Sequence, residues 1–330
     1  MTVLITGGTG FVGINIARRL AHEGHRVVCL SRHAADRDSV RDAFIAPVRE
    51  RIALVSGDVR RLCDIEAVWR RYAPSRVIHA ATITPSVDKE RSMGRAIVEA
   101  NVMGTVNVLE AAVSGGARRF VYVSSAGVYG DADEASPLTE AVPETGTGLY
   151  AVTKHAAERL CQRYAELHRL ETVSVRVGWV YGPMERPLAG SRERMSLVYD
   201  CVHAALAGRE VCLGELSAVR DWIYVGDLAR AVATLLAMES PRHHLYNIAG
   251  PRGYTHRELL ETLSRIVPVS YRAADHEHPP NVDEALTRKR RGPLSIDRLL
   301  VDTPYRPEIN LETGLRRYVD WLLATRCANP

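Results

Sequence analysis

A chain of 330 residues, 46% hydrophobic and 25% charged, has the make-up of an ordinary globular protein, long enough for one large core or two domains. Its formal charge of +4 is small for that length and gives no reason to expect nucleic acid or a membrane surface as partner. Six cysteines without CxxC or zinc spacing, and no run of about 18 apolar residues, lead to the expectation of a cytoplasmic protein with reduced thiols, no metal site and no membrane span.

The first apolar segment, Val3-Leu4-Ile5, reads as a buried strand. It runs into Gly7-Gly8-Thr9-Gly10-Phe11-Val12-Gly13, from which a helix opens directly. Gly7, Gly10 and Gly13, with Phe11 and Val12 between them, leave the backbone room to approach a pyrophosphate at a helix N-terminus. A glycine pattern alone is weak, but strand, turn and helix in succession are the context this motif requires. Further strands are expected at 26–30, 52–56, 76–81, 120–124 and 173–179, alternating with helical patterns at 64–72, 97–113 and 150–167. That alternation predicts an α/β fold: a Rossmann-type, doubly wound parallel sheet.

Beyond about residue 180 the regularity breaks. A loop over 182–194 carries Arg192 and Arg194, then come a helix at 196–207, short strands, a Pro-rich stretch at 268–281, the basic run 287–291 and an amphipathic helix at 311–324. The basic run is read as a solvated or phosphate-facing loop rather than a nucleic-acid patch. Residues 1–180 are expected to form the dinucleotide-binding domain, joined by a segment near 218–240, and residues 181–330 a smaller mixed substrate-binding domain.

The tip of the second strand bears on the cofactor. NAD-binding folds usually place a carboxylate there, about 20 residues after the glycines. This chain has Ser31 and Arg32 instead, a hydroxyl and a cation suited to a 2′-phosphate, so NADP is favoured over NAD. Asp58, at the tip of the third strand, is placed to accept from the adenine amino group; a turn or cap role is its structural alternative. Thr82 and Thr84, after the fourth strand, face the same cleft.

Tyr150 and Lys154 stand at i and i+4 on one helix face. A tyrosine with a pKa of about 10 is a poor base at neutral pH, and a neighbouring ammonium favours its phenolate. Such a pair is frequent by chance. Here it opens a long helix that follows a strand ending in Ser124-Ser125, which brings a hydroxyl to the phenol.

The chain resembles the extended short-chain dehydrogenase/reductases, the NAD-dependent epimerase/dehydratase family. The matching pieces, in order, include the glycine turn, Gly57-Asp58-Val59, His79-Ala80-Ala81, Asn101-Val102-Met103-Gly104-Thr105 and Val123-Ser124-Ser125-Ala126-Gly127-Val128-Tyr129-Gly130. They continue through Tyr150 and Lys154, Arg176, Val180-Tyr181-Gly182-Pro183, Arg220-Asp221-Trp222 and Tyr246-Asn247-Ile248. The resemblance implies Tyr150 as catalytic base or acid, Lys154 as its partner and Ser125 as the group that polarises the reacting oxygen. It also implies cofactor contacts from Val59, Ala80, Ala81, Thr82, Asn101, Ser124, Tyr150, Lys154, Val177 and Val180.

The departures narrow the substrate. Dehydratases of the family carry Thr-Asp-Glu where this chain has Ser125-Ala126-Gly127, so the acid pair needed for elimination is absent. Many nucleotide-sugar enzymes end the sixth strand with an asparagine on the diphosphate; here Gly178-Trp179 stands there. An indole suits a smaller or more apolar substrate, or simply packs under the C-terminal domain. Arg220 is retained and would meet a phosphate or clamp a carboxylate. With Thr84, Ser125 and Trp179 it makes up the expected substrate contacts. The expected activity is hydride transfer at a carbinol or carbonyl of a sugar, a sugar acid or another small acidic compound. The alternative is a nucleotide-sugar epimerase that retains its cofactor; a non-catalytic dinucleotide sensor is disfavoured by the Ser125, Tyr150 and Lys154 set. In relatives the helices near Ile97 and Tyr150 form a homodimer.

Overall fold

The computed structural model describes residues 1–134, 136–188, 194–282 and 291–328. Its sheet contains β1 (Thr2–Thr6), β2 (Arg26–Ser31), β3 (Ile52–Ser56), β4 (Arg76–His79), β5 (Arg119–Val123), β6 (Glu171–Val177) and a strand at Leu245–Ile248. Across the sheet the order is Leu245–Ile248, β6, β5, β4, β1, β2, β3, and every pair is parallel. Strand order reverses between β1 and β4, so their carboxyl ends open a crevice that no crossover covers. The side chains of Val3, Leu4 and Ile5 are all fully buried, because helices cover both faces of this sheet and remove the apolar/polar alternation of a half-exposed strand.

In chain order the first eight α-helices are α1 (Phe11–His22), α2 (Ser39–Ile45), α3 (Leu62–Tyr72), α4 (Val87–Val98), α5 (Gly104–Ser114), α6 (Leu149–Leu167), α7 (Leu197–Leu206) and α8 (Val225–Ala237). One face of the sheet packs on α1, α2 and α8 through Ile14, Leu20, Phe44, Leu228 and Leu235. The other packs on α3, α5 and α6 through Ile65, Val108, Leu109, Ala157 and Cys161. A separate core joins α7, the helix His256–Ser264 and the helix Leu311–Ala328, with Val198, Val202, Leu259, Leu263 and Leu315 fully buried.

Three differences from the sequence-based expectations have local causes. The helix expected from residue 97 is the second half of one running Val87–Ser114; the polar run Asp88-Lys89-Glu90-Arg91-Ser92 hides its first turns from a hydrophobic-period reading. That helix is long and apolar enough to cross a membrane by length and composition, but half of its apolar window is buried in the protein, as in a core helix. The sixth strand stops at Val177. After Gly178 the chain leaves the sheet as β7 (Trp179–Tyr181), which pairs in parallel with Trp222–Tyr224. Finally, α8 packs on α1 as expected of the segment near 218–240, but the chain returns once more beyond it, where Leu245–Ile248 adds a seventh strand beside β6.

Candidate active site

The glycine turn is shaped by contacts that leave no room for side chains. Gly7 has a left-handed backbone (φ 68°), and a Cβ there would lie 2.8 Å from the Ala81 backbone at the tip of β4. A Cβ on Gly13 would meet the Gly7 carbonyl oxygen at 2.3 Å, so the helix is drawn against the turn itself. Gly10 N–H donates to the Gly7 carbonyl and Gly7 N–H to the Leu30 carbonyl, both at 2.9 Å. The first helix starts on Gly10 with no side-chain cap and no acidic residue in its first turn. Its opening N–H groups therefore present positive partial charge to the crevice. This cradle fits a dinucleotide pyrophosphate.

The crevice is open to solvent, and the empty space at it, open solvent included, is about 1090 Å³. Gly7, Gly10, Phe11, Val12, Gly13, Ser31, Arg32, Asp58, Val59, Ala80, Ala81, Thr82 and Thr84 all line it, so these expected residues come together. Thr9 donates to the Ser31 hydroxyl at 2.7 Å, fixing the tip of β2 to the glycine turn. Arg32 is exposed at the rim. Asp58 is engaged more fully than expected: Arg60 donates to both carboxylate oxygens, at 3.1 and 3.0 Å from Nε and 2.6 Å from Nη2. Burial alone would push the Asp58 carboxyl up, but the Arg60 contacts outweigh it and hold it below the ordinary value. Arg60, Met184 and Arg186 also line the crevice. Of these, only Arg60 had a sequence signal, its place two residues after Asp58.

Ser125, Tyr150 and Lys154, the expected catalytic residues, sit where β5 gives way to α6. Ser125 follows β5 and its hydroxyl accepts from Gly127 N–H at 3.0 Å. A Cβ on Gly127 would lie 3.2 Å from Ser125 Oγ and 3.9 Å from the Tyr150 ring, so serine and tyrosine flank one bare stretch of backbone. Lys154 is fully buried; its Nζ donates to the Val123 carbonyl at 2.7 Å and lies 5.7 Å from the Tyr150 ring centre. Burial pulls the Lys154 ammonium down to about 7, against the opposing pull of Glu158. Glu158 accepts from Ser124 Oγ and from Arg176, which also donates to Glu144 and lies 4.6 Å from the Tyr129 ring centre. A buried ionic network thus backs the face of α6 that carries Lys154.

Several expected contacts lie behind the crevice wall. Asn101 is buried on a π-helical turn (Glu99–Met103), which turns it inward. Its carbonyl oxygen accepts from Ile83 N–H and the Thr82 hydroxyl, and its amide donates to the Ile83 carbonyl and the Thr153 hydroxyl. All four positions are used, so Asn101 shapes the loop after β4 and has nothing left for a cofactor. Ser124 is likewise buried, with its hydroxyl donated to Glu158. Val177 is buried at the end of β6, and Val180 is half-buried in β7.

Of the expected substrate contacts, Trp179 is half-buried with two guanidinium groups over its ring: Arg220 at 5.8 Å and Arg291 at 5.2 Å from the centre. Arg291 differs from the expectation of a solvated loop. It is buried and donates to the Ala126 carbonyl, beside Ser125. The rest of the basic run, 287–290, and Arg192 lie outside the described residues.

A crevice of this form, with a tyrosine and lysine beside it, defines an enzyme that works on a bound nicotinamide dinucleotide. Residues 3–249 match the model of the NAD dependent epimerase/dehydratase family, and the chain belongs to that family. It is 29% identical over 353 residues to a probable UDP-glucuronate 4-epimerase of Rhizobium meliloti, covering 97% of this chain and 96% of that one. It is 27% identical over 352 residues to dTDP-glucose 4,6-dehydratase of Shigella flexneri, covering 98% and 93%. The Thermus thermophilus UDP-glucose 4-epimerase, solved with NAD, superposes with a TM-score of 0.79 at 29% identity, over 98% of this chain and 99% of that one.

Proposed function

We propose that the protein is an NADP-preferring oxidoreductase acting at a carbinol or carbonyl carbon of a small sugar-like or acidic substrate. The observation that carries this reading is the assembly of Ser125, Tyr150 and Lys154 at the end of β5, beside the glycine crevice. Ser125 holds the reacting oxygen, and the Tyr150 phenol exchanges its proton. The buried Lys154 ammonium, when charged, stabilises negative charge on the phenol oxygen. The nicotinamide dinucleotide, when bound, supplies the hydride acceptor or donor. Elimination is disfavoured because Ala126 and Gly127 offer no proton-transfer group.

Preference for NADP is supported by Ser31, Arg32 and Arg60 in place of a free carboxylate at the adenosine end. Arg32→Ala is expected to weaken NADPH binding selectively; an equal loss for NADH would sink the preference. A second reading, a nucleotide-sugar epimerase with retained cofactor, is favoured by the two arginines at Trp179, which suit an anionic group such as a phosphate. A panel of sugars, sugar acids and nucleotide sugars, followed by NAD(P)H absorbance with both cofactors, separates the two. Stoichiometric NAD(P)H change supports the first, and product without net change supports the second.

We also place the protein in the cytoplasm as a homodimer without membrane association. Supporting this, the described cysteines are free thiols, and Val98, Met103 and Val152 form exposed apolar positions on the helices near Ile97 and Tyr150. A monomer by light scattering, or recovery of the protein with membranes on fractionation, would overturn the respective part.

A further inference from the structure

Residues 183–186 make four different attachments in succession. The Pro183 carbonyl accepts from Asn15 on α1 at 2.9 Å. Met184 has a left-handed backbone (φ 69°), unusual for a residue with a side chain, and its buried side chain belongs to the core under α1 while lining the crevice. Glu185 is buried and accepts from Ser196 twice, from N–H at 2.7 Å and from Oγ at 2.8 Å, and Ser196 is the cap of α7. Arg186 then makes a two-point ion pair with Asp38, Nη1 to Oδ1 at 3.0 Å and Nη2 to Oδ2.

Asp38 is itself a structural post. Its Oδ1 caps α2 by accepting from Arg41 N–H at 2.9 Å. The buried Arg41 donates to the carbonyls of His33 and Asp36, at 3.1 and 2.8 Å. Together these contacts set the course of the loop after β2, the loop that brings Arg32 to the crevice rim. The Arg186–Asp38 pair therefore joins two segments that border one crevice and lie 148 residues apart in sequence. One segment sits at the adenosine end. The other leads through Glu185 to α7 and the substrate lobe.

We infer that Arg186 is a positioning residue of the dinucleotide site: its ion pair with Asp38 ties the adenosine-side loop to the segment entering the substrate lobe, so the bound dinucleotide leaves only when that pair opens. The inference rests on reading the crevice as a dinucleotide site, and holds for NAD and NADP alike. It bears on the choice between readings above, because a catalyst that exchanges its cofactor each turnover must open the strap each time, whereas one that retains it need not. A half-exposed pair is also screened by salt, so cofactor release should depend on ionic strength.

The test follows release of NADPH by its fluorescence after mixing with excess unlabelled NADP, for the unaltered full-length chain, Asp38→Asn, Arg186→Gln and the double variant Asp38→Asn/Arg186→Gln. Asparagine can still cap α2, and Arg186 lies outside that helix, so the single variants are expected to keep the thermal midpoint of the cofactor-free protein. Each single variant is expected to release NADPH about tenfold faster, as for loss of a bidentate, partly buried pair. The double variant should release NADPH no faster than the faster single variant, because either substitution already breaks the pair. Release from the unaltered chain should accelerate with added salt more steeply than release from Arg186→Gln, which keeps only the salt dependence of the dinucleotide's own phosphate contacts. Release from both single variants within about twofold of the unaltered chain would overturn the inference and leave the dinucleotide site standing. An unaltered chain that binds neither NADPH nor NADH would overturn the cofactor reading itself.

Discussion

Replacing Lys154 by methionine tests the electrostatics of α6 without needing a substrate. The lysine is fully buried, and its pKa falls from 10.5 to about 7, chiefly by desolvation. A folded pKa below the unfolded one means that the unfolded chain binds the proton more tightly. From this group, stability is therefore reduced below about pH 7 and recovers as pH rises from about 7 toward 10.5. Between pH 7.5 and 9.5 the recovery amounts to about 2–3 kcal/mol. Methionine has a similar length and no charge, so Lys154→Met loses one hydrogen bond to the Val123 carbonyl, worth about 1 kcal/mol, and loses the pH dependence with it. Urea unfolding of both proteins across that range, monitored by tryptophan fluorescence, gives the difference directly. The gap should close or reverse toward low pH, where the unaltered protein carries the cost of the buried ammonium. Two parallel profiles would refute the reasoning, since they would show a lysine titrating near its ordinary value in the fold.

Tyr150→Phe should keep NADPH affinity, because the ring remains, and lower turnover on any substrate found in the panel by about 10²–10⁴-fold, as expected for loss of the acid–base group; preserved turnover would remove Tyr150 from the chemistry. Gly13→Ala places a methyl 2.3 Å from the Gly7 carbonyl, so it should weaken NADPH binding at least about tenfold in a fluorescence titration. Arg176→Met leaves Glu158 and Glu144 without their shared cation and should cost about 3–5 kcal/mol in urea unfolding; a loss below about 1 kcal/mol would show that the buried network contributes little.

The part of this protein that could be read from its chain is the part built from neighbours in sequence. A strand, three glycines and a helix N-terminus follow one another, and Tyr150 and Lys154 are one helical turn apart, so local geometry alone assembles each. The alternation of strands and helices likewise implied a parallel sheet, since parallel strands need crossovers and crossovers cover both faces. Asn101 shows the limit of this reasoning. Its family-like position suggested a cofactor contact, but a π-helical turn faces it inward, where every polar atom is used. The same holds for Ser124, just after β5, whose hydroxyl goes to Glu158 on α6.

What the tertiary structure alone decided is which distant residues meet. Arg60 and Asp58 are near enough in sequence for their pairing to be guessed, but Arg186 and Asp38 are not. Nor are Arg291 and Trp179, or the return of Leu245–Ile248 to the edge of β6. A charged residue in a loop carries no periodic signal, and the sequence around Arg291 reads as an ordinary basic run. Its burial follows only from where the chain is brought back, over the carbonyl of Ala126 and the face of an indole. The dinucleotide cradle and the Tyr150–Lys154 pair were thus determined by short-range order. The closing of the crevice and the charged surroundings of the substrate were determined by long-range packing.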